Sequence, residues 1–286
     1  MRATIWGCRG SVPTPGPDTI GYGGNTSCVE VSLADETVLV LDAGTGIRAL
    51  GDELERCEVC RIHVLLTHLH LDHVEGLRFF APLWNEGVEL DIWGPPSPLH
   101  GLRDRIARTF SPPLFPRELG EVPARLTFHD APREPWTIGG AVLRAGFVVH
   151  PGPTVGYRIE SNGASVAYLP DHEPALAGIA GRSRDWISGA SLAADADVVL
   201  HDAQFSEAEY AERVGWGHSS VADAVAFAHA VAARRLVLFH HDPSHSDTRL
   251  EDLEDRARSL SAANGAGRPT LAREGMVLDL TARTAP

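Results

Sequence analysis

Apolar positions recur along this chain on two periods. Near-continuous apolar runs such as "TVLVL" (residues 37–41), "RIHVLL" (61–66), "DVVL" (197–200) and "RLVLF" (235–239) are short and bounded by polar residues. They predict strands buried on both faces. "ATIWG", "CVEVSL", "VELDIWG", "RLTFHD", "AVLRAGFVVH", "VGYRIES", "SVAYLPD", "TLAR" and "MVLDL" predict further strands. Spacings of three and four residues predict helices over "GIRALGDEL", "HVEGLRFFAPLW", "SPLHGLRDRIARTF", "SVADAVAFAHAVAARR" and Asp247–Ala263, with a helical region around Pro174–Ala194. "SPPLFP" ends the third of these, because proline lacks the backbone donor that a helix needs. No repeat and no low-complexity linker divides the chain. Grouped strands with helices after each group predict an α/β fold, an αββα sandwich of two packed mixed sheets flanked by helices, as one domain over residues 1–286.

One predicted strand runs into "THLHLDHVEG", Thr67–Gly76. His68 and His70, two apart on extended backbone, point the same way and offer two nitrogens to one cation. Asp72 and His73 follow where a helix begins, with Asp72 as its expected N-cap and Glu75 completing a capping box. Crowding three histidines and a carboxylate into one turn gains nothing without a metal. One turn cannot complete the coordination, so further ligands are expected at other strand ends. The candidates are His150 after "AGFVV", Asp171 after "SVAYLP", Asp202 after "DVVLH", and His240 or His241 after "RLVLF". His63, His100 and His229 lie away from strand ends and read as structural or surface residues.

Composition narrows the chemistry. The 286 residues are 43% hydrophobic and 22% charged, which is ordinary for a globular protein with an ample core. No apolar run is long enough to span a bilayer, and the N-terminus lacks the apolar stretch of a signal peptide, so a cytoplasmic protein is expected. Cys57 and Cys60 form a lone "CEVC"; with Cys8 and Cys28 they read as reduced thiols, not as a zinc site or a disulfide framework. The net charge of −13, from 38 acidic and 25 basic side chains, argues against gripping long nucleic acid by its backbone. Arg103, Arg105 and Arg108 in "HGLRDRIARTF" could meet an anion but read first as a solvated helix face.

The run "THLHLDH" resembles the His-x-His-x-Asp-His signature of the metallo-β-lactamase superfamily, and the similarity extends from "LDAGTG" (Asp42) to "LFHHDPSHSD". The opening "GCRGSVPTPG" and "YGGNTSCVEV" is similar to the branch that holds ribonuclease Z and small phosphodiesterases. The resemblance implies two divalent metal ions, zinc first, with manganese or iron as alternatives. It implies His68, His70 and His150 on one ion and Asp72, His73 and His240 on the other. Asp171 would bridge them, since "YLPDHEP" is similar to the branch's strand-then-Asp pattern. Asp202 is the rival bridge, His241 is the rival of His240, and Asp42 would support ligands without binding metal. "HDAQF" (201–205) and "GHSS" (217–220) resemble the His-Glu-Ala-Thr and His-Ser-Thr stretches of ribonuclease Z-like enzymes. With Asp in place of Glu, they imply that Asp202 holds His218 as a general acid; the alternative is that both are structural. Ser220 and Asp223 predict a capping box, which sets His218 at a helix N-terminus.

The implied reaction is hydrolysis of a small phosphodiester, cyclic nucleotides included, by a hydroxide shared between two cations. Asp72 would help to orient that hydroxide, and His218 would protonate the departing alkoxide. One alternative is ribonuclease Z-like processing of transfer RNA, against which stand the acidic charge and the lack of a Gly- and basic-rich arm. Another is a lactonase or thioesterase, which would use the same metals without needing Asp202 and His218. The expected partner is a small molecule rather than nucleic acid or a membrane, and a homodimer is left open.

Overall fold

The predicted strands pair into two sheets. In the computed structural model, which describes residues 1–176, 178–179, 181–263 and 267–280, the first sheet begins with β1 (Arg2–Gly7), β2 (Cys28–Ser32) and β3 (Val38–Leu41). It continues through β4 (Arg61–Leu65), β5 (Glu89–Gly94) and β6 (Arg125–Asp130). The second sheet holds β7 (Trp136–Ile138), β8 (Ala141–Phe147), β9 (Val155–Ser161), β10 (Ala164–Leu169), β11 (Val198–Asp202), β12 (Leu236–Phe239) and β13 (Thr270–Leu271). A last strand, β14 (Val277–Asp279), returns to pair antiparallel with β1. Among the described residues each sheet has seven strands, ordered β14-β1-β2-β3-β4-β5-β6 and β13-β12-β11-β10-β9-β8-β7.

Helices α1 (Ile47–Arg56), α2 (Leu71–Val74) and α3 (Leu102–Ala107) follow strands of the first sheet. Helices α4 (Ala190–Ala193), α5 (Glu207–Ala211), α6 (Val221–Ala230) and α7 (Asp247–Ala263) follow strands of the second. The apolar runs are continuous because their two faces meet different cores. Leu39 and Leu41 of β3 enter the core between the sheets with Tyr157, Tyr168 and Phe239, while Val38 and Val40 meet Ile47, Leu50 and Phe80 beneath α1. On the other sheet Ala167 and Leu169 pack under α4 and α6, and Leu236 and Leu238 under α6 and α7. This is the αββα sandwich that the grouping of strands predicts.

Several helices are shorter than their periodicity suggests. "HVEGLRFFAPLW" makes only α2, then two 3-10 turns at Glu75–Phe79 and Ala81–Trp84. Leu77, Phe80 and Leu83 are fully buried at a spacing of three, which is the period of the tighter helix. The second long prediction contracts to α3, and Pro174–Ala194 yields only a 3-10 turn at Arg184–Trp186 and α4, with Ala177 and Ala180 outside the described residues. Strand β7 and helix α5 gave no signal in the pattern, whereas α7 occupies the expected residues. Among the described residues no helix is long and apolar enough to cross a membrane, and all four cysteines are free.

Strands β3 to β6 run parallel to one another, as do β10 to β13, so their carboxyl ends lie along common edges. Asp42 follows β3, "THLHLDH" follows β4, Asp171 follows β10, Asp202 ends β11 and His240 follows β12. Strand carboxyl ends are where backbone groups point outward unpaired and where α/β proteins place their ligands.

Candidate metal centre

Two clusters of ligating side chains meet at this edge. His68, His70 and His150 bring ligand atoms within 4.8 Å of one another, and Asp72, His73, Asp171 and His240 do the same. Asp171 lies between them. Its Oδ1 is 2.9 Å from His73 Nε2 and 3.3 Å from His240 Nε2, while its Oδ2 is 3.7 Å from Nε2 of both His68 and His150. One oxygen thus faces each cluster, which is the geometry a bridging carboxylate needs.

A second tier of hydrogen bonds aims these groups. Asp42 accepts from the Thr67 backbone N–H (2.7 Å) and Thr67 Oγ1 (3.0 Å) through Oδ1, and from His73 Nδ1 (2.8 Å) and the Tyr168 hydroxyl (3.0 Å) through Oδ2. Thr67 Oγ1 is in turn 3.1 Å from His68 Nδ1, so one buried carboxylate orients two candidate ligands. His150 Nδ1 donates to the Gly217 carbonyl at 2.9 Å. His240 adopts a left-handed backbone (φ 62), a strained choice for a residue with a side chain, and Gly10 makes room for it: a Cβ on Gly10 would sit 2.5 Å from the His240 ring. His241 turns away and donates to the Ala272 carbonyl at 2.8 Å, so the fold brings His240 and not its neighbour to the cluster.

The protonation states suit divalent cations. Burial and the nearby His73 push the His68 imidazole well below its usual range, and burial takes His150 down to about 4. Neutral imidazoles keep a lone pair for a metal. Burial would raise Asp171 and Asp72, yet the facing imidazoles, His240 and His73 on Asp171 and His73 and His240 on Asp72, hold both carboxyls below their usual range. Burial disfavours charge on His73 too, but Asp171, Asp72 and Asp42 lift it well above the usual imidazole value. Negative charge therefore converges where a cation would neutralise it. His68 supplies an independent sign: with Nδ1 engaged by Thr67, its Nε2 is buried without a hydrogen-bond partner in the protein. A native structure rarely leaves such an atom orphaned without a ligand to serve. The residues fit two metal ions.

Asp72 does not cap its helix. The N-cap of α2 is His70, which makes no side-chain cap, and Asp72 lies within the helix with its Oδ2 accepting from the Ser11 N–H at 2.7 Å. A carboxylate already compensating buried imidazoles cannot also reach the helix N–H groups, so the expected capping box with Glu75 does not form. His150 lies three residues beyond the end of β8, in a turn, rather than on the strand itself.

Asp202 and His218 form a pair beside the two clusters. Asp202 is fully buried and accepts four hydrogen bonds: from His172 N (3.1 Å) and His218 Nδ1 (2.6 Å) on Oδ2, and from Gln204 N (3.0 Å) and Ser219 N (3.1 Å) on Oδ1. Those donors use the lone pairs that a cation would need. The His218 ring stacks on His240 at 5.0 Å and stands 4.9 Å from His150. Burial opposes its charge, but Asp202, and beyond it Asp171 and Asp72, raise it to about 9, so it carries a proton at neutral pH. With Nδ1 committed to Asp202, Nε2 is the nitrogen left to serve another partner. Ser220 caps α6, accepting from Asp223 N at 3.1 Å, but the Asp223 carboxylate takes the Ser220 hydroxyl at 2.6 Å instead of the N-cap N–H. The expected capping box is half formed.

Thr67, Tyr168 and the Gly217 carbonyl also belong to this network, and sequence reasoning did not reach them. Their residue types are common, and only their contacts mark them. Arg103, Arg105 and Arg108 lie on or beside α3, where Arg105 donates to the Pro95 carbonyl at 2.6 Å.

The sandwich with its His/Asp cluster at the strand ends defines a metallohydrolase class of fold. Within that class, residues 37–241 match the Beta-lactamase superfamily domain, and the chain belongs to that family. An uncharacterized protein of Mycobacterium tuberculosis is 32% identical over 180 residues, 60% of each chain, so the match spans less than two thirds of that relative's length. Ribonuclease Z of Mycobacterium bovis is 28% identical and is covered to 94%, as is this chain. Among solved structures, the Zn2+-bound PqqB of Methylobacterium extorquens superposes with a TM-score of 0.70 at 21% identity, covering 98% of this chain and 100% of that one.

Proposed function

We propose that this chain is a metal-dependent phosphodiesterase that hydrolyses small diesters, cyclic nucleotides included, with two divalent cations, zinc first. The observation that carries the reading is the Asp202–His218 pair: an imidazole bound through Nδ1 to a fully buried carboxylate, with that nitrogen 4.0 Å from the Asp171 carboxylate between the two clusters. A sugar or alkyl alkoxide is a poor leaving group and needs a proton; a thiolate expelled from a thioester does not. His68, His70 and His150 would hold one cation, Asp72, His73 and His240 the other, and Asp171 both. When bound, the cations supply charge neutralisation at the phosphate oxygens and a lowered pKa for water. Zinc suits the histidine-rich set and is the ion bound in the PqqB neighbour.

The chain's own residues divide the remaining work. Asp42 and Thr67 keep His73 and His68 turned toward the reaction centre, and the Gly217 carbonyl does the same for His150. Asp202 fixes the tautomer and direction of His218, whose Nε2 delivers the proton to the departing oxygen. Protein purified without chelator is expected to contain about two transition-metal ions per chain by elemental analysis. Chelation should abolish hydrolysis, and zinc or manganese should restore it. Undiminished activity in rigorously metal-free protein would overturn the reading.

The ribonuclease Z relative favours a second reading, cleavage of precursor transfer RNA. The net charge of −13 weighs against it, since a protein that contacts many phosphates releases many counterions. A panel of bis-aryl phosphate, cyclic nucleotides, a lactone, a thioester and precursor transfer RNA separates the readings. Cleavage of the small diesters with little dependence on salt is the expected result. Efficient, steeply salt-sensitive trimming of transfer RNA would establish the endonuclease instead.

A further inference from the structure

The turn that carries His218 is pinned from within by a carboxylate that touches neither cluster. Glu173, two residues after Asp171, is 1% exposed. Its Oε1 accepts hydrogen bonds from the Tyr210 hydroxyl (2.7 Å) and the Gly215 N–H (2.9 Å), and its Oε2 accepts from the Gly217 N–H (2.9 Å). Its own N–H donates to the Val149 carbonyl at 3.0 Å. One residue therefore ties the turn at 215–218 to the segment that ends in His150. Gly217 is the link: its N–H goes to Glu173, and its carbonyl receives His150 Nδ1–H. No other residue fits there, because Gly217 has φ +87 and a Cβ would lie 2.3 Å from Pro151 Cδ and 2.6 Å from His150 Nδ1.

The choice of a carboxylate is informative. Among the described residues, the groups that hydrogen-bond to the Glu173 side chain are neutral donors, and burying an ionised carboxylate to hold neutral donors is costly. Charge-assisted bonds to N–H groups are, in return, shorter and stiffer than neutral ones. Glutamine cannot replace the arrangement. Donors face both oxygens, so wherever the amide nitrogen is placed its N–H groups oppose another donor.

We propose that Glu173 is a positioning residue for both His150 and His218. It clamps the 215–218 turn so that the Gly217 carbonyl keeps the proton on His150 Nδ1, leaving Nε2 unprotonated, 3.1 Å from His70 Nδ1 and 3.7 Å from Asp171 Oδ2, and so that His218 stays seated on Asp202. The part concerning His218 rests on the phosphodiesterase reading. The part concerning His150 does not, and it is read by metal binding alone.

The test compares wild-type protein with Glu173→Gln by zinc titration against a chromophoric chelator, and by kcat and KM on an alkyl diester and a nitrophenyl diester. Glu173→Gln is expected to weaken the less tightly held zinc about 10- to 100-fold, the usual effect of losing a partner behind a metal ligand. It should also lower kcat on the alkyl diester about tenfold more than on the nitrophenyl diester, with KM little changed, because a displaced His218 matters only where the leaving group needs a proton. Wild-type zinc affinity together with an unchanged ratio of the two kcat values would reduce Glu173 to a structural anchor and overturn the proposal. If Glu173→Gln does not fold, Gly217→Ala carries the test, since its Cβ drives the same turn off His150; wild-type zinc affinity in that variant overturns the proposal equally. A wild-type protein that cleaves neither diester would refute the phosphodiesterase reading, while the zinc comparison would still decide the role of Glu173.

Discussion

Replacing Asp171 with alanine is expected to strip the centre of at least one of its two metal ions and to lower turnover by roughly a thousandfold or more, a loss of about 4 kcal/mol of transition-state stabilisation. The size follows from geometry. Each oxygen of this one carboxylate faces a different cluster, with His73 and His240 at 2.9 and 3.3 Å on one side and His68 and His150 at 3.7 Å on the other. Losing a ligand from one cluster alone would leave the other intact; losing Asp171 weakens both. Asp202→Asn is the matched control, because the Asp202 oxygens are occupied by four protein donors and have no lone pair left for a cation. That variant should keep its metal. Metal analysis of the two proteins settles the assignment, and the reverse pattern, with metal lost from Asp202→Asn and retained in Asp171→Ala, would show the two aspartates exchanged.

The second large effect concerns the leaving group. His218→Ala should slow hydrolysis of an alkyl or nucleoside diester by about 100-fold or more, the ordinary worth of a general acid. A nitrophenolate departs without a proton, so the same variant should slow a nitrophenyl diester far less. Asp202→Asn should reproduce part of the effect, since the amide lacks the negative charge with which Asp202, against burial, lifts His218 to about 9. Bound cations would repel the charge on His218 and draw the value back toward neutrality, where donation of a proton is easiest. Equal losses on both substrates, with metal content intact, would mean that His218 binds phosphate rather than donating a proton. Loss on neither would leave Asp202 and His218 as structural residues.

The two predictions differ in how far the sequence alone could have supported them. The cluster after β4 is local. A short loop after β4 and one helical turn hold His68, His70, Asp72 and His73 close along the chain, so spacing reveals it. Strand-end position extended that reading to His150, Asp171, Asp202 and His240 or His241, because an apolar run that stops at a ligating residue marks the edge of a sheet, and only the family resemblance chose among them. Strand order was less legible than strand existence. The return of β14 beside β1 joins Val277–Asp279 to Arg2–Thr4 across the length of the chain, and no local pattern encodes such a pairing.

What the sequence determined by itself was therefore the local chemistry: apolar runs that must be buried on both faces, and a turn whose histidines and aspartate fit nothing so well as a metal. What only the tertiary structure decided was the choice between neighbours and the supports behind them. His240 enters the cluster and His241 leaves it because of one left-handed backbone angle beside Gly10. Asp171 is free to bridge and Asp202 is not, because backbone N–H groups from His172, Gln204 and Ser219 converge on the second and not on the first. Glu173 reaches Gly217 across 44 residues. Hydrogen bonds of that range depend on the three-dimensional packing of segments whose spacing carries no period, and a linear pattern records only what repeats along the chain.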